Sequence, residues 1–138
     1  MIENCEREII ELHQFFEAWF NAKLSDNDES FSRMSEVLSP EFIMITPAGR
    51  KIERSSLLSN LRSMNGLYLK EDKPSAIWIR NITIEWSTDT YCLANYEEWQ
   101  GSNDRAKGKG RISSALFEKN DAAPNRVRWI HLHETWIT

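Results

Sequence analysis

Four runs of sequence decide the fold: AIWIRNITIEW (76–86), YCLANYEEWQ (91–100), GKGRISSALFEK (108–119) and RVRWIHLHETWI (126–137). Their β-branched and aromatic residues suit a pleated, half-buried surface, so each is read as a strand. The segments between them, 87–89, 101–107 and 121–125, have hairpin length and turn-forming residues, which predicts a consecutive antiparallel meander. Alternation along the last run places Val127, Trp129, His131, His133, Thr135 and Ile137 on one face and Arg128, Ile130, Leu132, Glu134 and Trp136 on the other. Both faces carry large apolar groups, unlike a sheet with one side in water, so both are expected to be covered.

Upstream, Ile9, Leu12, Phe16, Trp19 and Phe20 recur at three- and four-residue steps and predict a helix over 3–24. Ser25, Asp26, Asn27 and Asp28 offer caps for a second helix over 29–38, which Ser39-Pro40 ends. Residues 41–46 (EFIMIT) read as a short strand closed by a Pro47-Ala48-Gly49 turn. A third helix over 53–64 sets Leu57, Leu58 and Leu61 on one side and stops at Asn65-Gly66, before a loop around 70–74. The order makes an α+β domain, with three N-terminal helices packed on an antiparallel sheet. Those helices cover one face only. The other calls for a second copy of the chain, a homodimer through the outer sheet face.

The 138 residues, 41% hydrophobic and 28% charged, fit a single domain over 1–138. A net charge of −4 argues against nucleic acid, whose phosphates require clustered cations. The start MIENCEREIIELHQ is acidic and amphipathic, and no 18-residue apolar run occurs, so neither export nor a membrane partner is expected and the location read is cytoplasmic. Cys5 and Cys92 are far apart in sequence and form no paired motif, which suits reduced thiols.

The segments SPEFIMITPAGR (39–50), NITIEW (81–86) with YCLANYEEWQG (91–101), and RISSALFEKN (111–120) with RWIHLHETW (128–136) resemble the nuclear transport factor 2-like superfamily. Within it they are similar to the SnoaL-like branch and its uncharacterised relatives, and to the association domain of calcium/calmodulin-dependent kinase II. The resemblance implies a cone-shaped α+β barrel in which a curved sheet wraps the first helix and leaves a pocket between them. It also implies dimerisation through the sheet. The scaffold hosts isomerases, cyclases, dehydratases and non-catalytic binders, so it constrains activity weakly.

Tyr96 and Glu98 share a strand face with Cys92 and Ala94, and Arg111 and Ser113 share one with Ala115 and Phe117. If both faces are concave, these groups converge beside His133 and the helix residues His13, Phe16 and Phe20. A ligand site would use Arg111, His13, Phe16, Phe20 and Ser113 for a small organic or anionic molecule. A catalytic site would use Glu98 or His133 as base and Tyr96 as donor to an oxyanion. The competing structural reading is a buried network in which Arg111 neutralises Glu98. His131 and His133 could share a metal ion with Glu98 or Cys92, but the fold resemblance accounts for this strand without one, and neither metal nor cofactor is expected. The basic stretch Arg105, Lys107, Lys109 matches no phosphate-binding loop and reads as a solvated hairpin tip. Three functions follow: a homodimeric small-ligand pocket protein; a SnoaL-like metal-free acid/base enzyme (isomerase, cyclase or hydratase); or an oligomerisation module like the kinase association domain.

Overall fold

The apolar stripe of the first helix is buried as its spacing requires. In the computed structural model, which describes residues 1–70, 75–102, 104, 105 and 107–138, α1 (Ile2–Phe20) turns Cys5, Ile9, Leu12, Phe15 and Trp19 into the core. After it come α2 (Asp28–Ser35), β1 (Leu38–Ile45), β2 (Lys51–Glu53), α3 (Arg54–Arg62) and a single turn, α4 (Leu67–Lys70). The meander follows as β3 (Ser75–Ser87), β4 (Tyr91–Ser102), β5 (Gly108–Lys119) and β6 (Val127–Trp136). Of the loop expected around 70–74, Lys70 ends α4, while positions 71–74, like 103 and 106 of the basic hairpin, lie outside the described residues.

The architecture is the α+β arrangement that the sequence implies, with a six-stranded sheet in the order β2-β1-β6-β5-β4-β3. The four long strands pair antiparallel in succession. β1 lies parallel to β6, however, and the three-residue edge strand β2 was not anticipated. The second helix ends at Ser35, and Leu38 already pairs with Trp129. Pro40, which has no N–H to give, sits in the irregular stretch between the pairings of Leu38 and Ile43. Asn27 does cap α2, accepting the Ser30 N–H at 2.8 Å.

One irregularity reassigns half of the last strand. Phe117 pairs with Trp129 and Leu116 with His131, so Ile130 is an extra residue, a β-bulge. Because side chains alternate with period two, one inserted residue reverses every face beyond it. Val127 and Trp129 point into the core, and beyond the bulge the inward residues are Leu132 and Glu134. His131 and His133 therefore face outward, and the single alternation expected for this strand is corrected. A second bulge interrupts β3, where Arg80 pairs with Glu97 but Thr83 with Asn95. Asn81 takes φ 55° there, a left-handed conformation that Asn tolerates.

The inner face then reads as cross-strand rows: Cys92, Phe117, Trp129; Ala94, Ala115, Leu132; Tyr96, Ser113, Glu134; Glu98, Arg111, Trp136. On the outer face the Trp99 ring lies flat on Gly110 of the paired strand, where a Cβ would come within 2.7 Å of ring carbons. The core is tied at Glu8, fully buried, whose carboxylate accepts from Arg33 at 2.6 Å, Trp129 at 2.9 Å and Asn125 at 3.0 Å. That one side chain joins α1, α2, β6 and the turn before β6.

Candidate functional site

Between α1 and the inner sheet face lies a cavity of about 120 Å³. Its walls are apolar: Leu12, Phe16 and Phe20 of α1, Phe42 and Met44 of β1, Leu57 and Leu61 of α3, with Trp129 and Leu132 of β6. His13, Tyr96, Glu98, Gln100, Arg111 and Glu134 supply the polar lining. Of the residues singled out from sequence, His13, Phe16, Phe20, Tyr96, Glu98 and Arg111 meet here. Ser113 stands one step behind, donating its hydroxyl to Glu134 Oε2 at 3.3 Å. His133 does not meet them. It is exposed on the outer face, because the Ile130 bulge reverses the strand, so no base at this position reaches the cavity.

His13 sits deep in this lining. Its Nδ1–H donates to the Ile9 carbonyl at 2.7 Å, and Nε2 is 2.9 Å from Glu98 Oε1. Since both neighbours accept, the ring is an imidazolium. Burial opposes that charge, but the charge and hydrogen bond of Glu98 outweigh it and raise the ring's affinity for its proton. Glu98 shows the reciprocal balance: against burial, His13 first and Arg111 second hold it well below the usual carboxylate range. Arg111 Nη2 donates to Glu98 Oε2 at 2.7 Å, and Gln100 donates to the same oxygen. With both oxygens taken and its charge fixed, Glu98 is a strut rather than a free base. The Arg111–Glu98 pairing expected of a buried network is present, at the edge of a cavity rather than in a filled core.

Glu134 is different. Arg111 Nε lies 3.2 Å from its Oε2, while Oε1 has no hydrogen-bond partner. The residue is 3% exposed. Burial is the largest influence on it, partly countered by Arg111 and reinforced by the Glu98 charge, and its pKa is pushed up to about 6. The Tyr96 hydroxyl, 1% exposed, likewise makes no hydrogen bond of good geometry, although the Ser113 hydroxyl lies near enough to act on its ionisation. Burial, then the charges of Glu134 and Glu98, push this phenol well above its ordinary range, so it stays a neutral donor. Two buried polar atoms on the cavity wall are thus left open, against the general rule that such atoms are satisfied. Sequence reasoning reached Tyr96 and missed Glu134, because in RWIHLHETW both parities look apolar and nothing marks the bulge.

His131 and His133 lie on the sheet face opposite Glu98 and Cys92, so the metal set weighed from sequence cannot assemble. Among the described residues no three His, Cys, Asp or Glu side chains gather as metal ligands. Arg105 of the basic hairpin pairs with Glu17 at 3.2 Å, outside the cavity. Cys5 and Cys92 are buried near one another, and burial, with the neighbouring thiol, keeps the Cys5 thiol protonated. No described helix is long and apolar enough to cross a membrane.

The model of the sucrose-6-phosphate phosphohydrolase C-terminal family matches residues 5–138. The chain belongs to that family. Sucrose-phosphatase 1 of Nicotiana tabacum is 22% identical over 131 residues, which are 94% of this chain but 30% of the tobacco protein. The chain therefore spans under a third of the length of the curated relative it matches. In fold it is similar to an NTF2-like protein of unknown function from Pseudomonas aeruginosa, at TM-score 0.80 and 23% identity over 98% of this chain and 99% of that one. A cystatin-like protein from Caulobacter vibrioides (TM-score 0.58, 17% identity, 90% and 82% of the chains) shares it. So does a calcium/calmodulin-dependent protein kinase type II association domain from Thiobacillus denitrificans (0.60, 12%, 79% and 83%). The fold that the resemblance of residues 39–50, 81–101 and 111–136 implied is thus shown: the domain has the NTF2-like, cystatin-like fold.

Proposed function

We infer that this domain is a receptor for a compact small molecule, bound in the cavity between α1 and the sheet. The observation that carries the reading is the pair of unpartnered buried oxygens, Tyr96 Oη and Glu134 Oε1, in a lining whose other charged groups are engaged with one another. A fold does not leave such atoms unmet without cost, on the order of 1–3 kcal/mol each, and a ligand that pairs them recovers it. The acid/base alternative has less support: of Glu98, His133, Tyr96 and Arg111, one is outside the cavity and Glu98 and Arg111 are engaged with each other. The tobacco relative's name points to a sugar phosphate. A phosphoryl group needs unspent cationic donors, and Arg111 is shared between Glu98 and Glu134, so phosphate capture is not the role favoured here.

Thermal shift against a library of small alcohols, amides and acids tests this. Compounds that raise the melting temperature of the wild type should fail to do so in a Tyr96→Phe/Glu134→Leu double variant. Equal shifts in both proteins would mean that the hits bind elsewhere.

A second reading concerns assembly. On the outer face Trp86, Leu93, Leu116, His131 and Ile43 form one cross-strand row spanning five strands, and Trp86 and Ile112 are 53% and 43% exposed. The row is apolar except at His131, and with the exposed Ile112 on the same face it favours a homodimer through the outer face. Light scattering at micromolar concentration should give twice the chain mass, and Leu116→Glu should halve it; a monomeric wild type would end the reading.

A further inference from the structure

The two open atoms specify more than the presence of a ligand. The four charged groups of the site are His13 and Arg111 against Glu98 and Glu134, so with Glu134 ionised the buried set is neutral. A neutral buried set repels no neutral molecule, but it offers an incoming anion nothing to offset lost hydration. One added proton changes that. On Glu134 it leaves the site with a net positive charge and turns Oε1 from an acceptor into a donor. The site then presents two O–H donors, Tyr96 and Glu134, facing one cavity.

Those donors stand in one row with Ser113 between them, two strands apart. That is about 10 Å between Cα atoms at ordinary strand spacing, a gap better bridged by a group with two oxygens than by a single hydroxyl. Apart from the paired His13, Glu98, Gln100 and Arg111, the remaining walls are hydrocarbon and aromatic ring. In size the space is comparable to an apolar cavity of about 150 Å³ that admits benzene.

We propose that the cavity receives a compact monocarboxylate with an apolar body, its carboxylate held between the Tyr96 hydroxyl and the Glu134 carboxyl, and that one proton enters with it. This rests on the pocket reading above and names its ligand class. The proton goes to Glu134 Oε1 and is shared with the ligand carboxylate, so charge balances without an ion from outside the site. The groups that face Glu134 leave it as the one that titrates. They are Arg111 and Ser113 from β5, Glu98 and Tyr96 from β4 and His13 from α1, while the neighbouring lining from α2, α3 and β1 (Met34, Leu57, Leu61, Phe42, Met44) is uncharged. Burial already draws Glu134 toward protonation, which keeps the cost of the extra proton small near neutrality.

The test is calorimetric titration of the whole chain with benzoate and hexanoate, and with benzyl alcohol and benzamide as neutral probes, at pH 5, 6, 7 and 8 in two buffers of different ionisation heat. The acids should bind, with Kd weakening about tenfold per pH unit above roughly 6 and proton uptake near one per ligand at pH 8, falling toward zero at pH 5. Glu134→Gln should bind the acids with a flat pH profile and a pH 8 Kd close to the wild type's at pH 5. Acids that bind without proton uptake, or neutral probes that bind as tightly, overturn the proposal and leave the pocket standing. If none of the four probes binds, both readings fall. Proton uptake is measured on the wild type, so the result does not depend on the variant folding.

Discussion

Glu8 and Trp129, 121 positions apart in sequence, meet in the core, where the indole N–H donates to the carboxylate at 2.9 Å. Arg33 supplies the countercharge, and Asn125 a third direction of support. The carboxylate is fully buried and fully partnered, which is the condition under which an internal charge is tolerated. Removing it leaves one guanidinium and two N–H donors facing a void. Glu8→Ala should cost about 3–5 kcal/mol of unfolding free energy in urea titration, a range set by broken buried pairs. Glu8→Gln keeps two acceptor directions and should cost less. An alanine variant within 1 kcal/mol of wild type would show that the cluster is not a keystone.

Tyr96 gives the opposite expectation. Its hydroxyl has no partner in the free protein, so Tyr96→Phe discards a buried polar atom without breaking a bond. Stability should stay level or rise by up to about 1 kcal/mol, while the thermal shift produced by ligands is lost. A residue that improves folding when removed, and abolishes binding, is one retained for binding. If the phenylalanine variant is clearly destabilised, the hydroxyl has a structural partner and the argument for an open donor fails.

The fold was readable in the sequence because its evidence is redundant. Every one of the long strands repeats the same message, and the stripe on α1 from Ile9 to Phe20 runs through about three turns. The site was readable as far as regular alternation reached: Tyr96, Glu98, Arg111 and Ser113 sit on strands whose facing parts run in register from Tyr91↔Glu118 to Gly101↔Gly108 without a break. It failed on β6, where one extra residue at Ile130 exchanges His133 for Glu134. A bulge is decided by how a strand bends over the helix it packs on, and no residue at 128–131 announces it, neither Gly nor Pro nor a change in polarity. The edge strand β2 was missed for a related reason, since three residues are too few for any pattern. The parallel pairing of β1 was missed because strand direction is a property of topology rather than of side chains.

Stability should vary with pH according to three buried groups, with signs that differ. His13 holds its proton more tightly folded than unfolded, so its contribution is complete below about pH 6.5 and fades as pH rises through its higher folded value. Glu98 is depressed, so its contribution is complete above about pH 4.5 and fades as pH falls through its lower folded value. Glu134 is raised to about 6, so its contribution is complete below pH 4.5 and is lost on going up through 6, a loss on the order of 2 kcal/mol. Urea titrations at pH 4.5, 5.5 and 7 should therefore show Glu134→Gln gaining on the wild type as pH rises. Parallel curves for the two proteins would remove Glu134 from the account.

The bulge itself can be tested through the two residues whose places it exchanges. His133 is exposed and makes no hydrogen bond to the cavity groups, so His133→Ala should change stability by no more than about 0.5 kcal/mol and leave ligand affinity unaltered. Deleting Ile130 is a different matter. Without the extra residue the segment from His131 onward must either slide by one position against both Leu116 and Ile43, or present His131 and His133 to the cavity and Leu132 and Glu134 to the outer face. Either outcome buries imidazoles among Leu12, Phe42 and Met44 or breaks pairing on two sides of a central strand. The deletion should abolish cooperative unfolding, read as loss of a single sharp transition in both fluorescence and circular dichroism. A deletion variant that folds cooperatively and still takes up ligand would mean that β6 alternates without interruption, and that His133, not Glu134, belongs to the site.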